Sequence, residues 1–331
     1  MVTQPPSDSV SSPSFSPKED LLVGTSWDNE VRCWETKGSG TSFSSTPKAL
    51  ISHAQPVLCS TWKDDGTTVF SGGCDNQIKM WPLISGAQPI TVAMHEAPIK
   101  DVAWIPEMNV LVTGSWDKTL KYWDTRQASP VHNQPLPDWC YTLPVRHPVM
   151  VVGTADKNIM VFNLHYPQRL NSSESPRPLT HRTRCVSVFP DKQGFLVGSI
   201  EGRVGVQHLD NSKQNQNFTF KCHRDGLHLY SVNSINFHPV YHTVLTTRSD
   251  GGVHFWDKDH KQKLKSMARK SLPIPCSTFN KDGSIFAYSA CYDWSKGAAE
   301  HNPVTAKSYI YLHSPQDSDV KPIPQVVNRR T

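Results

Sequence analysis

The stretch Gly114-Ser115-Trp116-Asp117-Lys118-Thr119-Leu120-Lys121-Tyr122-Trp123-Asp124 decides the fold of this chain. Its two apolar runs, Val110 to Thr113 and Leu120 to Trp123, flank a short polar turn, which is the pattern of a β-hairpin. Upstream, His95 precedes another strand-like segment with alternating apolar residues, Ile99 to Ile105. The pattern therefore predicts three consecutive antiparallel strands that end in a Trp-Asp dipeptide.

An upstream histidine and a closing Trp-Asp are typical of one blade of a WD-repeat protein. We expect His95, Ser115, Asp117 and Trp123 to form a hydrogen-bonded network. In it the carboxylate fixes one imidazole nitrogen, the other nitrogen meets the hydroxyl, and the hydroxyl meets the indole N–H. Such a network satisfies every buried polar group and locks one blade geometry.

The same hairpin recurs along the chain. Aligning the turns on an acidic residue gives six units, spaced roughly 40 to 50 residues apart, which is the period of a propeller blade. The aligned residues are Asp28, Asp75, Asp117, Asp156, Glu201 and Asp250. A seventh, degenerate unit follows over 274–313, with a long insertion at 291–307. The predicted fold is an all-β, seven-bladed WD40 β-propeller.

The predicted domain is a single propeller over 1–313, followed by a Pro-rich, basic tail over 314–331. No segment after His313 supplies the outer strand of blade seven. We expect Val2-Thr3-Gln4 to pair there and close the ring, which would remove an exposed sheet edge. In blades two and six, Gly73 and Arg248 stand where Ser115 stands in blade three, so these blades are expected to rest on packing.

Composition places the chain among ordinary soluble globular proteins, with 331 residues, 37% hydrophobic and 19% charged. No apolar run approaches the ~18 residues that span a bilayer, and the first residues lack the features of a secretory signal. The cytosol or nucleus is therefore expected, with no membrane insertion. Eight cysteines without any Cys-x-x-Cys pair predict buried free thiols.

The net charge of +5 is concentrated locally. Trp256 to Lys270 holds six Lys or Arg against two Asp, a local excess of +4. This excess suggests an acidic partner, although a solvated charged face is the alternative.

Motifs for chemistry are absent from the sequence. There is no Gly-x-Ser-x-Gly, no His-Glu-x-x-His and no phosphate-binding glycine loop, so no enzymatic activity, cofactor or small-molecule substrate is expected. His223 and His228 flank a turn but have no third ligand at a fixed offset, so no metal site is predicted. For Trp294, in the insertion of blade seven, core packing and a contact role both remain open.

Several segments carry a resemblance to a known family. They are Asp28 to Glu35 (DNEVRCWE), Gly114 to Arg126 (GSWDKTLKYWDTR), Gly198 to Arg203 (GSIEGR), Asn217 to Arg224 (NFTFKCHR), Phe255 to Asp259 (FWDKD) and Tyr292 to Gly297 (YDWSKG). Together they resemble the Rae/Gle WD-repeat mRNA export factors, over nearly the whole chain.

The resemblance implies a propeller at the nuclear pore that binds the acidic GLEBS segment of a nucleoporin and supports nuclear export of mRNA, with a further role at the mitotic spindle. It implies location in the nucleus and at the nuclear pore and envelope, with some cytoplasmic pool. The partner is expected on one propeller face. The matching positions are Arg203, Phe220, Lys221, Trp256, Lys258, Lys261 and Lys263.

Two departures from the family pattern affect fine specificity. This chain has His260-Lys261 where family members often have Arg, and Lys cannot form the planar bidentate contact of Arg with a carboxylate. The turn Arg248-Ser249-Asp250-Gly251-Gly252 has its basic residue before the acidic residue instead of after it.

Two alternatives remain open. The spindle-checkpoint sister of this family is also a seven-bladed propeller, and it reads GLEBS-like motifs of checkpoint proteins. In a different class, Lys and Arg with interleaved aromatics such as Phe220 and Trp256 suit direct binding of single-stranded RNA or an mRNP.

Overall fold

The computed structural model describes residues 1–39, 42–83, 85–166, 170–171, 182–222, 224–225, 228–302 and 304–324. Over these residues the chain is an all-β, seven-bladed propeller, which confirms the predicted fold. Each blade is an antiparallel sheet whose strands pair in chain order, except that β14 of blade four pairs with β15 alongside β13.

The first three blades have four strands each. They are β1 (Val10–Phe15), β2 (Leu21–Ser26), β3 (Glu30–Ser39) and β4 (Ser42–Ser52) in blade one; β5 (Val57–Trp62), β6 (Thr68–Gly73), β7 (Gln77–Pro82) and β8 (Ile90–Met94) in blade two; and β9 (Ile99–Ile105), β10 (Val110–Ser115), β11 (Thr119–Trp123) and β12 (His132–Pro135) in blade three. Blade four consists of β13 (Cys140–Thr142), β14 (Val145–Arg146), β15 (Val149–Thr154), β16 (Ile159–Asn163) and β17 (Leu170–Asn171).

The remaining blades complete the ring. They are β18 (Thr183–Val188), β19 (Gly194–Ser199), β20 (Arg203–His208) and β21 (Phe218–Lys221) in blade five; β24 (Val232–Phe237), β25 (Val244–Arg248), β26 (Val253–Asp257) and β27 (Gln262–Ser266) in blade six; and β28 (Ser277–Phe279), β29 (Phe286–Ala290) and β30 (Tyr309–His313) in blade seven. A small hairpin, β22 (Arg224–Asp225) and β23 (His228–Leu229), lies between blades five and six in the chain. The described helices are short: 3₁₀ helices at Asn211–Gln216 and Ala298–Glu300, and α1 (Asp317–Val320).

Each of the six aligned acidic residues lies in the turn between the two central strands of its blade. In blade three, Asp117 Oδ1 accepts the backbone N–H of Thr119 at 3.0 Å and the Thr119 hydroxyl at 2.6 Å. The carboxylate therefore holds the turn, in which Lys118 adopts a left-handed backbone with φ 65°. The residue after the acid has a positive φ in the other five turns too: Asn29, Asn76, Lys157, Gly202 and Gly251.

The core lies between adjacent blades. One cluster joins Val112 and Tyr122 of blade three to Met150 and Phe162 of blade four, all at most 2% exposed. A blade with apolar residues on both faces cannot bury them alone, so each sheet needs a neighbour on either side. The ring is the arrangement in which every blade has two neighbours.

The predicted blade-three network forms around a different hydroxyl. His95 Nδ1 lies 2.7 Å from Asp117 Oδ2, and His95 Nε2 lies 2.7 Å from Thr113 Oγ1. Trp123 Nε1 donates to the same Thr113 Oγ1 at 2.9 Å. The prediction that Ser115 supplies this hydroxyl is wrong.

Ser115 holds the backbone instead. Its Oγ donates to the carbonyl oxygens of Ala97 and Pro98, each at 3.0 Å. Thr113 and Ser115 are two residues apart on β10 and so share one face of the strand. Strand alternation therefore cannot distinguish them, and the position of the His95 ring decides which hydroxyl completes the network.

In blades two and six the hydroxyl also stands two residues before the predicted position, which holds a glycine in blade two and an arginine in blade six. In blade two, Ser71 Oγ lies 2.9 Å from His53 Nε2. In blade six, Thr246 Oγ1 accepts from Trp256 Nε1 at 2.9 Å. The expectation that these blades rest on packing without such bonds is wrong, because the hydroxyl stands four residues before the turn acid.

The N-terminal residues bridge blade seven and blade one. The Val2 N–H donates to the Ile310 carbonyl at 2.9 Å, and Val2 is 1% exposed. Trp34 Nε1 donates to the Thr3 carbonyl at 2.8 Å, and the Thr3 N–H donates to Ser45 Oγ at 2.8 Å. These contacts support closure of blade seven by residues 2–4, which stays a proposal together with the 1–313 domain boundary.

Part of the predicted tail packs against the propeller. Residues 314–324, which we call the C-terminal strap, include α1, and Val320 is 1% exposed against Leu245 and Phe255 of blade six and Phe286 of blade seven. Residues 325–331 lie outside the described residues.

In the described part of the chain, no helix has the length and apolar character needed to cross a membrane. All eight cysteines are free, and none is exposed.

Replacing Thr113 with Val keeps the side-chain shape but leaves the indole N–H and the imidazole Nε2 of the network without a partner. We expect the free energy of unfolding to fall by about 1–3 kcal/mol. Thr113→Ser keeps the hydroxyl and should cost less. Urea unfolding followed by tryptophan fluorescence compares the two variants, and equal losses would show that the hydroxyl does not contribute.

Deleting Met1 to Pro6 removes the Val2 contacts from blade seven. We expect a lower melting temperature and faster amide exchange at Ile310, because burying a Val side chain contributes about 1.5–3 kcal/mol. Strand β6, on the other side of blade one, serves as an internal control for hydrogen exchange and should be unaffected. Exchange in β30 that is equally slow in both proteins would contradict closure by the N-terminus.

Candidate functional site

The seven predicted partner-binding residues lie on the adjacent blades five and six. Blade five contributes Arg203 on β20 with Phe220 and Lys221 on β21, and blade six contributes Trp256 on β26, Lys263 on β27, and Lys258 and Lys261 in the loop between these strands. We call this set the blade five–six groove. Because β21 and β27 are the outermost strands of their sheets, the groove lies at the side of the ring and not at the central channel.

Aromatic rings form the floor of the groove. The ring centroids of Phe220 and Trp256 are 5.1 Å apart, across the two blades, and Phe218 lies 6.0 Å from Phe220. Trp256 is half-buried, and its indole N–H is fixed by Thr246. The bond to Thr246 within blade six thus fixes the indole ring of Trp256, which contacts Phe220 of blade five.

The predicted cations lie on both blades, but only those of blade six share the face of the rings. Arg203 lies opposite Lys221 in the β20–β21 pairing, and Lys263 lies opposite Trp256 in the β26–β27 pairing. Directly opposed residues in a sheet project on the same side, so Lys263 shares the face of Trp256. Phe220 and Lys221 are neighbours on β21, so Lys221 and Arg203 project on the other face of blade five, away from Phe220. Arg203 Nε is 3.8 Å from Glu201 Oε2 and makes no hydrogen bond within the described residues.

The two lysines of the loop differ in their availability. Lys258 Nζ lies 4.8 Å from the centroid of the Phe189 ring and is paired with Asp259 at 2.5 Å, and its side chain is 14% exposed. Lys261 Nζ lies 4.5 Å from the Phe218 centroid, and Lys261 is exposed. Lys261 can therefore reach a partner, whereas Lys258 mainly covers Phe189.

Only part of the local charge excess faces the groove. Lys265 is paired with Asp319 of the C-terminal strap at 2.6 Å. Arg269 donates to the Asp250 carbonyl at 2.7 Å, near the channel, and Lys270 Nζ lies 4.4 Å from the centroid of the Tyr311 ring. Three of the six cations in Trp256 to Lys270 thus serve other contacts.

The sequence interpretation missed a second surface, the mouth of the central channel. The channel cavity has a volume of about 1270 Å³. Trp27 and Trp294 are in contact there, with ring centroids 4.3 Å apart and planes tilted by 35°, and Trp116 stacks on Trp139 with centroids 5.8 Å apart. Cations also line the cavity: Lys100, Arg182, Arg184, Arg269 and Lys296. The available signal was a tryptophan directly before the turn acid in blades one and three.

No group of three or more His, Cys, Asp or Glu able to hold a metal occurs among the described residues. His223 lies outside them, so the His223 and His228 pair has no described geometry.

Comparison with known proteins identifies the family. Segments 2–35, 44–82, 87–124 and 214–257 match the family "WD domain, G-beta repeat". "Protein RAE1" of Arabidopsis thaliana is 69% identical over 325 residues, covering 98% of this chain and 93% of that protein. The "Poly(A)+ RNA export protein" of Schizosaccharomyces pombe is 42% identical (98% and 92% covered), and "mRNA export factor GLE2" of Chaetomium thermophilum is 41% identical (98% and 92%). The chain belongs to the Rae1/Gle2 family of WD-repeat proteins.

A solved structure agrees on the fold of this Rae1/Gle2-family chain. The crystal structure of the WD40 beta propeller domain of Doa1 superposes with a TM-score of 0.69 at 16% identity, covering 87% of this chain and 92% of that one. At this identity the likeness concerns the fold alone.

The second departure from the family pattern, the arginine before the turn of blade six, has a structural explanation. Arg248 pairs with the turn residue Asp250, and its guanidinium lies 5.2 Å from the centroid of the Tyr230 ring. A Cβ added at Gly252 would lie 2.7 Å from Arg248 Cδ. The arginine before the turn thus occupies the space that a side chain after the turn would need.

The neighbouring His254 makes stability depend on pH. Burial, together with Arg248 and Lys263, lowers the pKa of His254 to about 4, whereas an unfolded His titrates near 6.5. As the pH falls from about 6.5 to 4, the unfolded chain takes up a proton that the folded chain does not, so stability is lost.

We therefore expect His254→Gln, which cannot be charged, to reduce the loss of unfolding free energy between pH 7 and pH 5. Urea unfolding at the two pH values measures this loss. His242→Asn is the matched control, because His242 is exposed and Asn tolerates its left-handed φ of 58°. The same pH dependence in His254→Gln and wild type would contradict the assignment.

Proposed function

We propose that this propeller is a non-enzymatic scaffold of mRNA export that binds an acidic GLEBS-type segment of a nucleoporin in the blade five–six groove. The observation that carries the proposal is the contact of Phe220 with Trp256 across two blades, with Lys263 on the face of Trp256 and Lys261 over the ring of Phe218. Relatives named mRNA export factors, or named for poly(A)+ RNA export, support the export role.

The groove suits an extended segment with alternating apolar and acidic side chains. Apolar groups would pack on the half-buried Phe220 and Trp256, while carboxylates would meet the exposed Lys261 and Lys263. Aromatic and Arg residues carry most of the energy at protein interfaces. Exposed lysines at the rim mainly change the association rate and its salt dependence.

The proposal includes no catalytic step. The set Ser115, His95 and Asp117, which resembles a hydrolytic triad in sequence, is not assembled as one, because the His95 Nε2 meets Thr113 inside the sheet. The proposed location is the nucleus, the nuclear pore and the nuclear envelope, with some cytoplasmic pool.

Titration calorimetry with a synthetic GLEBS peptide at two salt concentrations tests the groove. We expect Arg203→Ala to have a smaller effect, because Arg203 projects on the other face of blade five, and we expect Phe220→Ala to weaken binding by roughly 2 kcal/mol. Trp256→Ala should do the same, but it also breaks the bond to Thr246, so its melting temperature must be measured alongside. Lys261→Glu with Lys263→Glu should weaken binding further, most strongly at low salt.

Lys18→Glu is the matched charge control, because Lys18 is exposed on blade one, away from the groove. It should leave affinity nearly unchanged. If Trp116→Ala and Lys296→Glu abolish binding while folded groove variants bind normally, the segment binds at the channel mouth and the groove assignment is wrong.

Direct binding of single-stranded RNA is the second candidate, favoured by exposed lysines beside aromatic rings in the same groove. Bases would stack on the rings while phosphates meet the cations. A steep salt dependence with oligouridylate and no effect of added GLEBS peptide would favour RNA at a separate surface. Competition between the two would indicate one shared groove. The spindle-checkpoint alternative predicts that GLEBS-like peptides of checkpoint kinases bind more tightly than the nucleoporin peptide.

A further inference from the structure

The loop that carries Lys258 and Lys261 is organised by one buried carboxylate. Asp257 is 3% exposed. Its Oδ1 accepts the backbone N–H groups of Asp259 at 3.0 Å and His260 at 3.1 Å, and its Oδ2 lies 2.7 Å from His260 Nδ1. These bonds fix the first residues after β26, and with them the path of the loop into the groove.

The same carboxylate has a partner from a distant part of the chain. The backbone N–H of Ile323, in the C-terminal strap, donates to Asp257 Oδ2 at 2.9 Å, across 66 residues of sequence. Burial opposes ionisation of Asp257, but the donors from His260 and Ile323 outweigh it and lower its pKa. The carboxylate is thus charged, and hydrogen bonds to charged groups are stronger than neutral ones.

The strap is held in place along its length. Val320 is buried between blades six and seven, and its carbonyl accepts from the Thr243 hydroxyl at 2.7 Å. Asp319 accepts from Lys265 Nζ of β27 at 2.6 Å, and Asp317 accepts from the Tyr241 hydroxyl at 3.0 Å. These contacts hold the strap on the propeller, and the strap in turn places the Ile323 N–H at Asp257.

The C-terminal strap also contacts β27, the strand that carries the groove residue Lys263. Lys263 and Lys265 both belong to β27, but a bulge at this point pairs Lys263 with Trp256 and Lys265 with Phe255. Neighbouring residues of β26 face opposite sides, so Lys263 faces the groove while Lys265 reaches the strap. One strand is thus tied to the strap on one side and presents the groove cation on the other.

We propose that the C-terminal strap is a positioning element for the blade five–six groove, and that it sets the affinity of the groove by holding the 258–261 loop through Asp257. This inference rests on the proposed function for its binding consequence. Its structural half, the coupling of residue 323 to the loop, can be tested without any ligand.

Ile323→Pro in the full chain removes the donor, since proline has no backbone N–H, and Ile323→Ala is the control that retains it. Hydrogen exchange at the amides of Asp259 and His260 should become faster in Ile323→Pro and stay unchanged in Ile323→Ala. Binding of the synthetic GLEBS peptide should weaken roughly three- to tenfold in Ile323→Pro only, because the net loss of one hydrogen bond typically changes an equilibrium by about this factor. Strand β6 provides the folding control for exchange.

The outcomes separate the two proposals. Unchanged exchange and unchanged affinity in Ile323→Pro overturn the strap inference, whether or not the groove binds the peptide. Faster exchange with a wild type that does not bind the peptide supports the coupling and overturns the proposed function. Faster exchange with unchanged affinity shows that the loop does not contribute to binding and overturns the inference.

Discussion

The structure depends on one constraint: a blade that is apolar on both faces can bury them only between two neighbours. Blade three packs on blade four through Val112, Tyr122, Met150 and Phe162, and comparable clusters join the other blades. Seven such contacts require a closed ring, and the contact of Val2 with Ile310 lies where the first and last blades meet. Both surfaces described above depend on this ring. The blade five–six groove lies on two adjacent blades, and all seven blades line the channel.

Polar side chains then fix the orientation of each strand within the packed blade. In blades three and six, a tryptophan donates to a threonine four residues before the turn acid. The Asp after that tryptophan has a different role, since Asp124 accepts from the backbone and side chain of Arg126. Asp257 does the same for its own loop and adds a donor from the strap. A structural residue of the repeat thereby connects to a surface loop in blade six.

The groove and the channel mouth differ in how much of their charge is available. At the mouth, Arg184 donates to the Asp293 carbonyl at 2.7 Å and Arg269 to that of Asp250. In the groove, Lys261 and Lys263 are exposed near the half-buried Phe218 and Trp256. Exposed lysines beside half-buried rings can meet an acidic segment more readily than cations already bonded to the backbone, and this difference supports the proposed groove over the channel mouth.

The sequence by itself determined the number of blades and the two adjacent blades that carry the predicted site residues. Turn acids at a regular period specify hairpins, and hairpin chemistry is local: an acid, a left-handed residue and two apolar strands within about a dozen residues. The family motifs likewise named residues of blades five and six that do lie together, as Phe220 and Trp256 show.

Only the tertiary structure decided which residues of each set serve which contact. Thr113 and Ser115 share one strand face, so the choice between them depends on where His95 arrives from another strand. Lys263 and Lys265 are two residues apart and would share a face, but the β27 bulge separates them. The strap's bond from Ile323 to Asp257 joins segments 66 residues apart. The local sequence pattern cannot predict such contacts, because their energies arise only after distant parts of the chain have packed together.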